Sequence, residues 1–92
     1  MNNIINVESI LIVNLTGDFG CSEEKAKQVI QNLTTDYAVK NNLPIDKFYI
    51  EYGQEFKTFF EKFYGKTLTL SNKNIEDFWT EMVKNVDSYK RP

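Results

Sequence analysis

The stretch from Pro44 to Gly65, PIDKFYIEYGQEFKTFFEKFYG, decides the fold because it contains eight of the chain's aromatic residues. At about 100° per residue, its large apolar side chains gather within roughly 120° of a helix surface. These side chains are Ile45, Phe48, Tyr49, Tyr52, Phe56, Phe59, Phe60 and Phe63. The pattern predicts one long amphipathic helix over 44–65, whose apolar face must be covered by other helices or by another protein.

Two residues depart from this helical pattern. Gly53 in the interior of a helix costs about 1 kcal/mol relative to alanine, and Ile50 falls on the polar side. The alternative is a short strand over 47–52, followed by a helix from Gln54. The continuous apolar stripe favours one helix, which Gly65 is expected to end as a C-terminal cap.

A further helix is predicted before the central stretch. Ser22 is a good N-cap, and apolar residues at helical spacing continue from Ala26 to Tyr37. The run NNLP over 41–44 should stop this helix, because asparagine tolerates the left-handed conformation and the residue before proline resists the helical one.

A last helix is predicted after the central stretch. Residues 66–70 are expected to be extended, because apolar and polar residues alternate there. A cap at Asn72 or Asn74 then begins the final helix. Its apolar stripe consists of Ile75, Phe78, Trp79, Met82, Val83 and Val86.

The first apolar segment, Ile4 to Leu15, is expected to be buried in either of two conformations. Asn6 is suited to cap a helix, whereas the β-branched residues suit a strand near 10–15. The segment TGDFGC over 16–21 is predicted to be a loop, because glycine and aspartate are turn residues.

Together these segments predict an all-α fold, a compact bundle of about four helices, in a single helical domain over 1–92. The alternative is an α+β fold with short strands near 10–15, 47–52 and 66–70. A chain of 92 residues with 41% hydrophobic content can bury one core without metal or disulfide support. The predicted core consists of Val29, Ile30, Leu33, Tyr52, Phe56, Phe59, Phe63, Phe78, Trp79 and Met82.

The composition narrows the classes of function. There is no histidine, and a lone Cys21 can form neither an internal disulfide nor a thiolate metal cluster. We therefore predict no metal, no cofactor and a cytoplasmic location. No apolar run approaches the roughly 20 residues of a membrane span, so no membrane association is expected. A net charge of -2 argues against binding to nucleic acid, unless lysines gather on one face of the fold.

Catalytic chemistry has only weak candidates in the sequence. Glu51 and Glu55, like Asp77 and Glu81, are one helical turn apart and could act as acid and base. Both pairs lie on predicted solvent faces, and there is no glycine-rich phosphate loop or zinc spacing. We predict that the protein is not an enzyme, with an unrecognised carboxylate pair as the alternative. Cys21, just before a helix start, is expected to be a packed residue.

The prediction that follows is binding to another protein. The many Asn, Lys, Ile, Phe and Tyr residues indicate an AT-rich coding genome, typical of low-GC bacteria and of their mobile elements and phages. We predict a non-enzymatic protein-binding module, namely a small inhibitor, an immunity protein or a regulator of bacterial mobile-element or phage type. A homodimer is a further option, and a nucleic-acid-binding regulator is the alternative function.

The partner is predicted to bind a face of the central helix. Ile50 and Tyr64 are not required for the core stripe, and charged residues surround them. An apolar residue within a charged rim is typical of an interface anchor. The predicted partner-binding residues are Ile50, Tyr64, Glu51, Lys57 and Glu61.

Overall fold

The computed structural model describes residues 6–91, and every regular element in this range is a helix. The helices are α1 (Val7–Phe19), α2 (Glu23–Lys40), α3 (Phe48–Glu51), α4 (Gly53–Leu70) and α5 (Ile75–Ser88). The predicted all-α bundle is confirmed, and the alternative with strands near 10–15, 47–52 and 66–70 is wrong. Within the same range, no helix has both the length and the apolar character needed to cross a membrane.

The first apolar segment is helical, and its residues 4 and 5 lie outside the described residues. Asn6 caps α1, because its side-chain oxygen accepts a hydrogen bond from the N–H of Ser9 at 3.1 Å. Leu11 and Leu15 are one turn apart and are both fully buried. Packing of this face therefore outweighs the preference of the β-branched residues for a strand.

The end of α1 corrects the prediction of a loop over 16–21. The helix continues to Phe19, whose ring lies 5.0 Å from the ring of Phe78 in α5. It stops at Gly20, which has a left-handed φ of 64° and donates its N–H to the carbonyl of Thr16. A residue with a side chain would be strained in this conformation, so glycine is the suitable cap.

The predicted N-caps of α2 and α5 are present. The hydroxyl of Ser22 accepts a hydrogen bond from the N–H of Lys25 at 3.0 Å. The side-chain oxygen of Asn74 accepts hydrogen bonds from the N–H groups of Glu76 and Asp77. Each cap satisfies backbone donors that have no partner within the first turn of its helix.

The central stretch contains the break that Gly53 signals. The prediction of one helix over 44–65 is wrong in its first half, because α3 begins only at Phe48 and a bend at Tyr52 separates α3 from α4. Gly53 is buried, and a Cβ atom there would lie 3.4 Å from Cγ2 of Val7. This distance is that of an ordinary van der Waals contact, so Val7 of α1 packs directly on the first turn of α4.

The helix in the second half of this stretch continues past its predicted end at Gly65. α4 includes 66–70, so the predicted extended segment is also wrong. Thr67 and Ser71 follow the buried Phe60 by seven and eleven residues, and both are buried. The buried face of α4 therefore extends beyond the glycine, and packing against α5 keeps the helix intact.

α1 is placed by contacts with α2 and α4. The amide of Gln31 donates a hydrogen bond to Glu8 at 3.2 Å, which joins the start of α1 to the middle of α2. Val7 packs against the first turn of α4, and the hydroxyl oxygen of Tyr64 lies 3.3 Å from the carbonyl oxygen of Asn14 further along. α1 is therefore antiparallel to α2 and parallel to α4.

α5 packs against α2 and α4. Near the starts of α2 and α5, the ammonium group of Lys25 pairs with the carboxylate of Glu76. Near their ends, the ammonium group of Lys40 donates to the carbonyl of Val86 at 3.4 Å. α2 and α5 therefore run parallel, side by side.

The core is centred on Tyr37, which is fully buried and whose ring lies 5.4 Å from that of Phe56. Three of the predicted core residues, Tyr52, Phe63 and Trp79, pack against the core but are partly exposed. The other seven are fully buried. They are Val29, Ile30, Leu33, Phe56, Phe59, Phe78 and Met82.

Candidate functional site

Ile50 is the most exposed of the large apolar side chains in the described range, with 75% of its surface accessible. Its neighbours on α3 determine this orientation. Phe48 is buried and its ring lies 6.2 Å from that of Tyr37, while the hydroxyl of Tyr49 donates to the hydroxyl of Thr34 at 3.2 Å. Burial raises the pKa of Tyr49 to about 12. Because two adjacent side chains are held inside, Ile50 is held outside.

The residues around Ile50 form an exposed edge, which we call the α3 edge and define as Ile45, Asp46, Lys47, Ile50 and Glu51. Ile45 precedes α3 and is 57% exposed, so the edge presents two aliphatic side chains. The other three members are charged. The α3 edge thus combines apolar contact surface with a charged surround, as binding surfaces of proteins do.

Two more predicted binding residues lie one turn apart on α4. The ammonium group of Lys57 donates to the carboxylate of Glu61 at 2.8 Å. Such a pair on a helix surface contributes roughly 0.2–0.5 kcal/mol. Lys57 and Glu61 lie on α4, the helix that follows the α3 edge. The bend at Tyr52 separates them from Ile50.

Tyr64 is placed at the seam between α4 and α1 rather than beside Ile50. It follows Gly53 by eleven residues, which is about 16 Å of helical rise. Its hydroxyl donates to the carboxylate of Asp18, and burial raises its pKa. The ring packs against that of Phe78 at 5.5 Å. Tyr64 therefore fixes the position of α4.

One member of each candidate carboxylate pair forms an ion pair with a basic residue. Glu55 accepts two hydrogen bonds from Arg91, at 2.7 and 2.9 Å, and one from the hydroxyl of Tyr37 at 2.5 Å. The bond from Arg91 is the main reason that the pKa of Glu55 lies below its usual value. Glu81 pairs with Lys84 at the surface. Within residues 6–91, no three acidic, cysteine or histidine side chains are placed to hold a metal.

The pairing of Glu55 predicts a pH dependence of stability. A pKa that is lower in the folded than in the unfolded protein stabilises the fold above the unfolded value, about 4.3 for glutamate, and this contribution is lost as the pH falls through the folded value. We expect Glu55→Gln to lower the free energy of unfolding at pH 7 and to have a smaller effect at pH 3. Urea unfolding of both proteins at the two pH values measures this difference.

Arg91→Gln provides the control for this prediction. It removes the main partner of Glu55, so the double variant should lose little more stability at pH 7 than Glu55→Gln alone. Equal effects of Glu55→Gln at pH 7 and pH 3 would contradict the proposed role of the ionised pair.

Cys21 is half-buried, and its thiol donates to the carbonyl of Leu15 at 3.7 Å. Its sulfur packs against the core. Cys21 is therefore a packed residue, as the sequence predicts.

One surface was not singled out from the sequence. Trp79 and Val83 were assigned to the core stripe of α5, but both are partly exposed and line a depression of about 310 Å³ on the outer side of α5. Val83 also lines an adjoining depression with Val39, which is 64% exposed. In the sequence, the signal that could have indicated this surface is the breadth of the apolar stripe of α5, which covers two adjacent rows of side chains.

Comparisons of this chain with protein-family models, with curated proteins and with solved structures find no match. The features that bear on function are therefore those of the molecule itself. They are the exposed aliphatic residues of the α3 edge and the partly apolar outer side of α5.

Proposed function

We propose that the protein is a non-enzymatic protein-binding module whose α3 edge contacts the partner, with Ile50 as the central apolar residue. The exposure of Ile50 is the observation that carries this proposal. Its backbone is held in place because Phe48 and Tyr49 are anchored in the fold. A backbone that is already ordered loses little conformational entropy on binding, which favours affinity.

The proposed contact surface also includes charged residues, namely Glu51 on the α3 edge and the Lys57–Glu61 pair on α4, the helix that follows this edge. Charged residues at the rim of an interface contribute mainly to specificity and to the rate of association. Tyr64 lies away from the α3 edge, where its hydroxyl contacts Asp18 and helps to hold α4 against α1.

The class that this proposal favours is a small cytoplasmic inhibitor, immunity protein or regulator of bacterial mobile-element or phage type. The alternative, a nucleic-acid-binding regulator, requires free lysines on one face. Lys25 and Lys40, two lysines that could contribute to such a face, are engaged with α5 instead. The enzyme alternative is less favoured because Glu55 is held as an ionised partner of Arg91.

The test is Ile50→Asp. The substitution replaces an exposed side chain, so we expect a change in stability within about 0.5 kcal/mol by thermal unfolding. We expect it to abolish capture of the proteins that the wild type enriches from lysate of the native host, as measured by mass spectrometry.

Leu70→Asp is the matched control, because Leu70 is also an exposed aliphatic residue, 60% accessible, at the far end of α4. The Leu70→Asp variant should capture the same proteins as the wild type. If Ile50→Asp captures them equally well, the α3 edge is not the binding surface.

A further inference from the structure

We propose that the protein also self-associates, through antiparallel pairing of the outer side of α5 with the same surface of a second copy. This surface, which we call the α5 face, consists of Glu76, Trp79, Thr80, Val83 and Lys84. It is distinct from the α3 edge, and the inference does not depend on the function proposed above.

The α5 face is a continuous stripe on one side of the helix. Its five residues follow one another at spacings of three, one, three and one, which place them in two adjacent rows on the same side. Trp79 and Val83 form the apolar middle, and Glu76 and Lys84 mark the two ends. An apolar centre with charged ends is the usual arrangement of a helix that packs against another helix across an interface.

The charges identify the second copy as the occupant. Glu76 lies four residues before Thr80 and Lys84 lies four residues after it, which is about 6 Å in each direction. If two α5 helices cross antiparallel at Thr80, Glu76 of each copy lies opposite Lys84 of the other. The surface is therefore complementary to itself under a two-fold axis, as the interface of a symmetric dimer must be.

The same charges exclude the parallel arrangement. Parallel pairing would bring Glu76 against Glu76 and Lys84 against Lys84, and like charges that face each other across an interface are unfavourable. The charge pattern thus selects both the partner and the relative direction of the helices.

The existing contacts of the two charged residues do not prevent this pairing. Glu76 is bridged to Lys25, and Lys84 to Glu81 at 3.2 Å. Both side chains are nonetheless exposed, Glu76 by 63% and Lys84 by 68%. Exposed ion pairs contribute little to stability, so exchanging them for pairs with the second copy costs little.

The neighbouring surface of α2 enlarges the apolar contact. Val39 is 64% exposed and lies beside Val83, in a depression that Asp36, Lys40 and Asp87 also line. α5 has 14 residues and is thus about 21 Å long, so the paired area is at the low end for a specific interface. We therefore expect weak association, with a Kd on the order of tens of micromolar.

A charge-exchange experiment tests this proposal. Sedimentation equilibrium of the wild type over roughly 5 to 500 µM should show a monomer–dimer equilibrium. Lys84→Glu and Glu76→Lys should each raise the dimer Kd by about tenfold, because each places like charges opposite one another twice. The double variant restores opposite charges, so its Kd should return to within about threefold of the wild type.

Lys66→Glu on α4 is the matched control, because it makes the same change of charge at an exposed position that is not part of the α5 face. It should leave the dimer Kd unchanged. Trp79 is the only tryptophan, so its fluorescence emission should shift to shorter wavelengths as the dimer forms and Trp79 is further buried.

Three results would overturn the proposal. The first is a wild type that is monomeric over the whole concentration range. The second is a double variant that is no better than the single variants although circular dichroism shows it to be folded. The third is a Lys66→Glu variant that weakens association as much as Lys84→Glu, because the effect would then be one of net charge.

Discussion

Replacing Leu15 with aspartate is expected to unfold the protein at neutral pH. Leu15 lies in α1 and is fully buried. A carboxylate placed there without a partner costs several kcal/mol, which is a large part of the roughly 5–15 kcal/mol by which a small domain is stable. Far-UV circular dichroism and thermal unfolding should show the loss of helix and of the cooperative transition.

Val13→Asp is the control for this prediction. Val13 is on the same helix, two residues earlier, but is 67% exposed. The same substitution there should change the stability by no more than about 0.5 kcal/mol. If Leu15→Asp unfolded at the same temperature as the wild type, α1 would not be part of the core.

Phe59→Ala is expected to cost about 3–5 kcal/mol in the free energy of unfolding. Phe59 is fully buried, and its ring lies 5.2 Å from that of Tyr37 and 4.8 Å from that of Tyr89. Its removal leaves a cavity between α2, α4 and the residues after α5, which these large rings cannot fill by a small shift. Urea unfolding measures the cost as a fall in the midpoint at unchanged slope.

Phe63→Ala is the comparison that makes this prediction specific. Phe63 follows Phe59 by one turn and is partly exposed. Phe63→Ala should therefore lower the free energy of unfolding by only about 1–2 kcal/mol, because part of the Phe63 ring is already in water. A larger effect for Phe63 than for Phe59 would contradict the burial that the structure shows.

Features that depend on a few neighbouring residues could be predicted from the sequence. Asn6, Ser22 and Asn74 each cap a helix as expected, because a cap needs only its own side chain and the next two or three N–H groups. The apolar stripe of α2 was predicted for the same reason. Its residues repeat at helical spacing without interruption.

The end of α4 could not be predicted in this way. Gly65 is a helix-ending signal, yet the helix passes through it. The reason is a contact with α5: the amide of Asn85 donates to the hydroxyl of the buried Thr67, 18 residues earlier in the chain, at 2.9 Å. A contact between distant residues thus outweighs the local propensity.

The candidate site was predictable only in part. Helical spacing indicates the angle of a side chain around its own helix, and it correctly separated Ile50 from the core stripe. It does not indicate which other helix lies at that angle. For this reason it did not show that Tyr64 contacts Asp18 or that Trp79 lies at an exposed edge of α5. The part of Ile50 in binding a partner stays a prediction.

The parallel packing of α2 and α5 has an electrostatic consequence. Each helix carries roughly half a positive charge at its first turn, so two helices that begin side by side repel one another there. The sequence places carboxylates in both first turns, where they offset this repulsion and make one end of the bundle acidic. These carboxylates belong to Glu23, Glu24, Glu76 and Asp77, with Lys25 bridging the two helices.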